Sequence, residues 1–308
     1  MKKVITIILL IFSISLGVKA QQEPMVSQYM FNGLFINPAY AGTHDYWTSS
    51  LSARTQWVSF DGAPRTLIGA IDGPIAGKNM GLGLVMYNDQ IGVSKQNTAI
   101  VNYSYQLNFK NKSKLSFGVN AGINQFRADL TELIVWDGGD EVFQNDLRSN
   151  VIPRFGFGAY YFSDRYYAGF SIPTLLGYQN GNDFSVDVSR ATFLHRHYLL
   201  TGGYVFVLNQ SLKLKPSTLI KYLPGAPLQV DLNLGLLVNE TFWFGTSFRT
   251  GDAVALLLEY QSNNFFRIGY AYDITFSELR KYSHGSHEIM IGIDFGKNLT
   301  KTKTPRFF

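Results

Sequence analysis

The chain has 308 residues, and a charged fraction of only 16% beside an aromatic fraction of 15% is unusual for a soluble protein. It contains no cysteine, which excludes a disulfide framework, thiolate chemistry, Cys-based metal sites and lipidation at an amino-terminal cysteine. The formal net charge of +5 is a modest basic excess and does not indicate a nucleic-acid-binding protein.

Residues 1–20 have the pattern of a cleavable signal peptide. Two lysines precede an apolar run over residues 4–16, and Val18-Lys19-Ala20 fits the small-x-small cleavage rule. The mature chain is therefore predicted to begin at Gln21. No later stretch approaches the roughly 20 apolar residues of a membrane-spanning helix, which excludes a helical membrane protein.

Residues 21–44 are predicted to form an amino-terminal periplasmic or plug segment. The segment is rich in aromatic residues, which need burial, and Asn37-Pro38 signals a turn because proline disfavours helix for the residue before it. A disordered leader is the alternative. The candidate partner-binding residues of this segment are Tyr29, Met30, Phe31, Asn32, Asn37, Pro38 and Tyr40.

Residues 45–296 alternate between apolar and polar side chains with period two, which is typical of half-buried β-strands. The mean hydropathy of −0.01 agrees with one lipid-facing and one lumen-facing set of side chains. The pattern predicts an all-β protein, a closed antiparallel transmembrane β-barrel of the outer membrane with about 14 strands. The predicted strands are 46–60, 65–72, 79–88, 93–109, 113–128, 151–162, 166–173, 195–208, 211–223, 227–238, 241–250, 252–261, 265–274 and 286–295.

Loop lengths test this strand count. The three longest predicted connections, 129–150, 174–194 and 275–285, follow the fifth, seventh and thirteenth strands, all odd. Bacterial barrels alternate short periplasmic turns with longer outward loops, so shared parity supports the count. A soluble β-sandwich remains the alternative fold, because it also alternates and turns at similar intervals.

Two predicted outward loops hold further candidate partner-binding residues. Asp61, Gly62 and Pro64 lie between the first two strands, where glycine and proline also suit a simple tight turn. Trp136 and Asp137 lie in the long loop after the fifth strand. The acidic residues there could bind Ca²⁺ through oxygen atoms, but the loop lacks the spacing of a known calcium loop.

The polar faces of the strands offer no enzyme site. His195 and His197 share one face and could ligate a metal together, but a satisfied pair of lumen residues is the commoner arrangement. Ionic residues such as Arg54, Arg267 and Asp273 either line a water channel or neutralise one another in a filled lumen, and the second is preferred. No catalytic residue, cofactor or metal is predicted.

The basic tail 297–308 either contacts a partner or is disordered.

Four stretches of the chain closely resemble one family. They are Ser27–Asn32 (SQYMFN), Ile36–Gly42 (INPAYAG), Gln56–Thr66 (QWVSFDGAPRT) and Ser286–Gly292 (SHEIMIG). They are similar to the PorP/SprF family, outer-membrane proteins associated with type IX secretion and gliding motility in Bacteroidota. The likeness runs from the mature amino terminus to the last strand.

The resemblance implies a non-enzymatic role and offers no catalytic residues to carry over. It implies a component of the secretion machinery, or a dedicated partner for export and surface attachment of a large adhesin through its C-terminal sorting domain. The implied partners are type IX secretion components and such an adhesin. An outer-membrane barrel also contacts outer-membrane lipid and lipopolysaccharide, and the modest charge of an exported chain predicts no nucleic-acid partner. A passive channel or small-solute transporter, and an outer-membrane hydrolase, are the rival functions.

Overall fold

The computed structural model describes residues 23–132, 146–148, 151–177, 196–262 and 265–295. The strands of these ranges form one antiparallel sheet that closes on itself as a 14-strand barrel. The strands are β1 (Trp47–Thr55), β2 (Arg65–Pro74), β3 (Met80–Ile91), β4 (Ser94–Asn108), β5 (Lys114–Ala128), β6 (Ile152–Phe162), β7 (Tyr166–Gly177), β8 (Tyr198–Tyr204 and Phe206–Val207), β9 (Leu212–Tyr222), β10 (Gln229–Val238), β11 (Phe242–Arg249), β12 (Ala253–Gln261), β13 (Phe266–Thr275) and β14 (Ser286–Phe295).

Every strand pairs with its neighbours in sequence, and β14 pairs with β1 to close the barrel, with Arg54 opposite Glu288. A two-residue strand, Leu147–Arg148, also pairs with the end of β5. Because closure leaves no unpaired barrel edge, backbone N–H and C=O groups at membrane depth are satisfied within the sheet. The predicted fold class and strand number are confirmed.

The two faces of the barrel wall have opposite chemistry. On β4, Val101 and Tyr105 are 56% and 42% exposed on the outside, whereas Asn102 and Ser104 are 2% and 0% exposed on the inside. The apolar outer face suits lipid, and the polar inner face suits a lumen. Among the described residues, no helix is long and apolar enough to cross a membrane.

Loop lengths orient the barrel. The described connections 56–64 and 276–285 both follow odd strands, whereas the turns after even strands, such as 163–165, are short. The long-loop end is therefore the outer end, and the short turns lie at the periplasmic end together with Trp47 and Phe295.

Three predicted strands differ from the structure by more than three residues or by a break. The seventh was predicted over 166–173 but continues to Gly177. The first was predicted over 46–60 but ends at Thr55, because Trp57 and Ser59 have φ angles of 47° and 76° and turn the chain into a loop. The eighth was predicted as continuous over 195–208 but is interrupted at Val205. By register, the break lies beside Pro216 of β9, which lacks the N–H that would continue the ladder.

Candidate functional site

Residues 23–44, which we call the luminal segment, lie against the inward-facing side chains of the barrel. The segment contains three short 3-10 helices, Tyr29–Phe31, Gly33–Phe35 and Pro38–Tyr40. The third begins where sequence chemistry predicts a turn. Asn37 Oδ1 accepts a hydrogen bond of 2.9 Å from the Ala39 N–H, and proline occupies the first helical position.

The outer part of the segment is fixed by a buried charged group, the Arg54 cluster (Ser27, Arg54, Asp273 and Glu288). Arg54 lies 2.7 Å from Asp273 and 3.2 Å from Glu288, with all three side chains at most 2% exposed. The Ser27 and Gln28 N–H groups donate to Glu288 at 2.7 and 3.1 Å, and Ser27 Oγ donates to Asp273 at 2.7 Å. Strands β1, β13 and β14 thus hold the segment through matched charges.

A second contact fixes the segment further toward its amino end. Glu23 lies 3.0 Å from Arg154 and also bonds to the Thr174 hydroxyl, and Arg154 donates to Tyr87 Oη at 2.8 Å. Burial alone would raise the pKa of Glu23, but Arg154, His197 and Thr174 together lower this pKa below its ordinary value. Arg154 and Thr174 lie at the outer ends of β6 and β7, so residue 23 lies at the outer end of the lumen.

The other end of the segment lies at the periplasmic end of the lumen. The Gly42 N–H donates to Asp72 at 2.9 Å, and Ser104 Oγ and Gln106 Nε2 donate to the Ala41 and Gly42 carbonyls at 2.6 and 2.7 Å. These partners lie near the periplasmic ends of β2 and β4. The luminal segment therefore runs down the lumen from the outer end and continues into β1.

Close packing joins the segment to the wall between these ends. A Cβ atom added at Gly118 of β5 would lie 2.2 Å from the Ala39 nitrogen, so only glycine allows this approach. Tyr29 Oη accepts a bond of 2.7 Å from Asn233, and the Tyr40 and Tyr160 rings lie 5.7 Å apart, edge to face. The aromatic residues of the segment are thus part of the core.

The structure therefore buries most of the candidate residues of this segment. Asn32 donates to Ser50 at 2.9 Å, and Asn37 donates to the Ala159 carbonyl at 3.1 Å. The buried candidates are Tyr29, Asn32, Asn37, Pro38 and Tyr40, whereas Met30 and Phe31 are partly buried. In this state they contact the barrel's own side chains.

The candidates in the first outward loop lie on a different surface. Loops 56–64 and 276–285 pack together, because the Val58 N–H donates to the Gly285 carbonyl at 2.8 Å and the His284 N–H donates to the Val58 carbonyl at 2.9 Å. We call this pair of loops the outer-loop surface. Asp61 and Gly62 are exposed there and Pro64 is buried.

Three aromatic side chains of the outer-loop surface are exposed, Phe60 at 43%, Phe276 at 41% and Tyr282 at 66%. Phe276 stacks on Phe248 of β11 with ring centroids 5.9 Å apart, whereas Phe60 and Tyr282 have no such ring contact among the described residues. Sequence reasoning missed Tyr282, because nothing in the period-two pattern marks a loop aromatic. Sequence reasoning also missed Ser27 as a partner of the Arg54 cluster. The only sequence signal for the Arg54 cluster is that three neighbouring strands, β1, β13 and β14, carry inward charges of both signs. This pattern indicates that the charges neutralise one another.

The remaining candidates lie elsewhere. Trp136 and Asp137, like His195, are outside the described residues. Within the described ranges, no three His, Asp or Glu side chains lie together as a metal site. In the lower lumen, Arg267 is paired with Asp294 at 3.5 Å.

Comparison with known proteins gives one family. The model of the family described as "Type IX secretion system membrane protein PorP/SprF" matches residues 18–293. No curated protein matches the chain.

Among solved structures, the chain is similar to the KdgM porin, with a TM-score of 0.39 and 12% identity over 80% of this chain and 97% of that chain. It is also similar to the outer membrane protein Omp33 of Acinetobacter baumannii, with a TM-score of 0.45 and 9% identity over 82% of this chain and 98% of that one. A mutant of the Rh. blastica porin gives a TM-score of 0.35 and 10% identity over 81% and 99%. Because all three TM-scores are below 0.5, these structural similarities say nothing about the function of this chain.

Proposed function

Because the chain belongs to the PorP/SprF family of type IX secretion system membrane proteins, we propose that it acts as a non-enzymatic scaffold of that system in the outer membrane. In this proposal the barrel is either a machinery component or a dedicated partner for export and surface attachment of a large adhesin through its C-terminal domain. Outer-membrane lipid and lipopolysaccharide surround the apolar wall.

The observation that carries the proposal is the occupied lumen. Opening a passage would remove Ser27 and Gln28 from the Arg54 cluster and Glu23 from Arg154. Leaving a buried acceptor without its hydrogen-bond donor typically costs about 1–3 kcal/mol, and more when the acceptor is charged like Glu288. A lumen held in this way favours a scaffold over an open channel.

The outer-loop surface is the proposed contact for the protein partner. Loops carried on a rigid barrel commonly bind partners, and exposed aromatic residues are enriched among the side chains that dominate binding energy. Phe60 and Tyr282 supply such side chains beside the exposed Asp61. The luminal segment also reaches the outer end of the lumen at Glu23, where a bound partner would contact it.

Site-specific crosslinking tests this proposal in living cells. A photo-crosslinking residue in place of Tyr282 should capture a large secreted protein or a component of the secretion system, which mass spectrometry would identify. The same residue in place of Pro227, exposed in the 223–228 loop elsewhere on the outer rim, is the matched control. Equal capture at both positions, or an unchanged set of surface proteins in a deletion strain, would contradict the proposal.

Conductance separates the scaffold from the passive channel. The intact protein should give no steady current in a planar bilayer, whereas a variant lacking residues 23–42 should conduct, because its lumen loses its filling. A steady current through the intact protein that this deletion leaves unchanged would instead support a channel.

A further inference from the structure

Three neighbouring periplasmic turns carry a group of basic side chains, which we call the periplasmic basic sector. The turns are 75–79, 109–113 and 163–165, and the sector comprises Lys78, Lys110, Lys112, Lys114 and Arg165. The first two turns are in direct contact, because Asn108 Nδ2 donates to Asn79 Oδ1 at 3.0 Å. Lys114 is half-buried, with Nζ 5.9 Å from the Phe162 ring centroid, and the other four side chains are exposed.

The charges of this sector are unpaired among the described residues. None of the five takes part in an ion pair, and the acidic neighbours in these turns and at the start of β1 are Asp164 and Asp45, both exposed.

The outer rim is different. There, Lys95 and Arg127 both pair with Asp129, and Lys281 pairs with Glu278. Arg65 and Arg280 on the outer rim are also exposed and take part in no ion pair among the described residues. The periplasmic sector therefore differs in the number of unpaired basic side chains that neighbouring turns bring together.

An aromatic belt fixes the depth of this sector in the membrane. Tyr161 lies 5.9 Å from Tyr166, Tyr166 stacks on Tyr204 at 6.5 Å, and Tyr204 lies 4.6 Å from Phe206, measured between ring centroids. These rings form a band on the outside of β6, β7 and β8 at their periplasmic ends. Aromatic girdles of this kind mark the boundary between hydrocarbon and headgroups.

Two of the basic turns, 109–113 and 163–165, lie immediately beyond this belt, and the first is tied to it. Tyr161 Oη donates to Ser113 Oγ at 2.9 Å, and Phe109 packs against Tyr161 with ring centroids 6.3 Å apart. Residues 109–113 therefore stand at the depth of the lipid phosphates of the inner leaflet. Flexible lysine side chains there can reach headgroups while their stems remain near the apolar boundary.

We propose that the periplasmic basic sector binds the phosphate headgroups of anionic phospholipids in the inner leaflet of the outer membrane. The lipid phosphate would pair with basic side chains that form no ion pair with a carboxylate among the described residues. A lipid partner is favoured over an acidic protein because the exposed charges of turns 109–113 and 163–165 adjoin the belt on the outside of the wall, whereas Lys114 lies on the lumen face of β5. Each basic residue near a charged membrane surface contributes roughly a fivefold gain in affinity.

Native mass spectrometry of the full-length barrel in detergent, titrated with phosphatidylglycerol or phosphatidylethanolamine, tests the proposal. The wild-type protein should retain phosphatidylglycerol preferentially, and more weakly as ionic strength rises, because salt screens exposed charges. A variant with Lys78→Gln, Lys110→Gln, Lys112→Gln and Arg165→Gln should bind it at least tenfold more weakly.

The matched control removes four positive charges from the outer rim, through Arg65→Gln, Lys95→Gln, Arg280→Gln and Lys281→Gln. It should retain phosphatidylglycerol like the wild type, and heat-modifiable gel migration should show both variants folded. Equal loss in both variants, equal binding of the two lipids by the wild type, or unchanged binding in the periplasmic variant would overturn the proposal. Loss of a co-purifying periplasmic protein with lipid binding unchanged would overturn it in favour of a protein partner.

Discussion

At the scale of single residues, Arg54 shows how this barrel tolerates charge in its interior. Its guanidinium has two carboxylate partners on β13 and β14, and it donates to Ser27 Oγ of the luminal segment at 2.9 Å. Glu288 in turn accepts two backbone N–H groups. A buried charge needs partners of opposite charge and hydrogen bonds, since an uncompensated one is costly. The same contacts that neutralise the wall therefore fix the segment.

Replacing Arg54 should be costly for this reason. The substitution Arg54→Gln leaves Glu288 without its cation and Asp273 with only the more distant Arg249, 3.7 Å away. It should lower the free energy of unfolding by about 3–5 kcal/mol, measured by urea denaturation in detergent micelles. The substitution Lys281→Gln, which breaks an exposed pair with Glu278, should cost no more than about 1 kcal/mol. Similar losses in the two variants would refute the role given to the Arg54 cluster.

Glu23 should make the outer end of the segment sensitive to acid. Its pKa is lowered from the ordinary 4.5, so its contribution to stability is fully present above pH 4.5 and is lost as the pH falls through the lowered value. A spin label on Pro24→Cys, the only thiol in the chain, should become more mobile below pH 4.5. Adding Glu23→Gln should give high mobility at every pH, and a mobility unaffected by acid in the parent would count against this assignment.

At the scale of elements, the luminal segment and the strands depend on each other. The segment has only short 3-10 helices, which are not stable alone, so its conformation comes from contacts with the wall. The wall in turn leaves room for it through small residues. Gly118 faces Ala39, and Gly81 approaches the Ala41 carbonyl so closely that an added Cβ would lie 2.2 Å away.

Filling one of these spaces should displace the segment. The substitution Gly118→Val adds a side chain where the Ala39 backbone lies and should destabilise the protein by about 1–3 kcal/mol, with faster protease cleavage of the segment. The substitution Gly202→Val is the control, because a Cβ there meets nothing closer than 3.7 Å, and its effect should stay within about 0.5 kcal/mol. An undisturbed segment in the Gly118 variant would show that this packing is not required.

At the scale of the whole molecule, the orientation of the barrel decides which surfaces meet which partners. The outer-loop surface and Glu23 lie at one end, and the periplasmic basic sector lies at the other. The orientation rests on the long connections 56–64 and 276–285 after odd strands.

Thiol labelling of whole cells checks this orientation. The chain has no cysteine, so single variants provide a clean signal. A membrane-impermeant maleimide should label Asp61→Cys in intact cells and should label Asn111→Cys only after the outer membrane is opened. Labelling of Asn111→Cys in intact cells would invert the assignment.

The sequence by itself determined the barrel. Period-two alternation fixes which side chains face lipid, and a barrel is the strand architecture that satisfies every backbone group in lipid, so strand number and the parity of the long loops followed. Local pattern also marked the Asn37-Pro38 turn. It did not locate the end of the first strand, because the positive φ angles of Trp57 and Ser59 arise where loop 56–64 packs on 276–285.

Only the tertiary structure decided where the luminal segment lies and what it contacts. Ser27 is 261 positions away in sequence from Glu288, and nothing local indicates that they meet. Their contact depends on the closure of β14 onto β1, which brings three charged strands around one serine. The burial of Tyr29 and Tyr40 and the exposure of Tyr282 have the same origin, because a side chain's surroundings depend on strands that are distant in the chain.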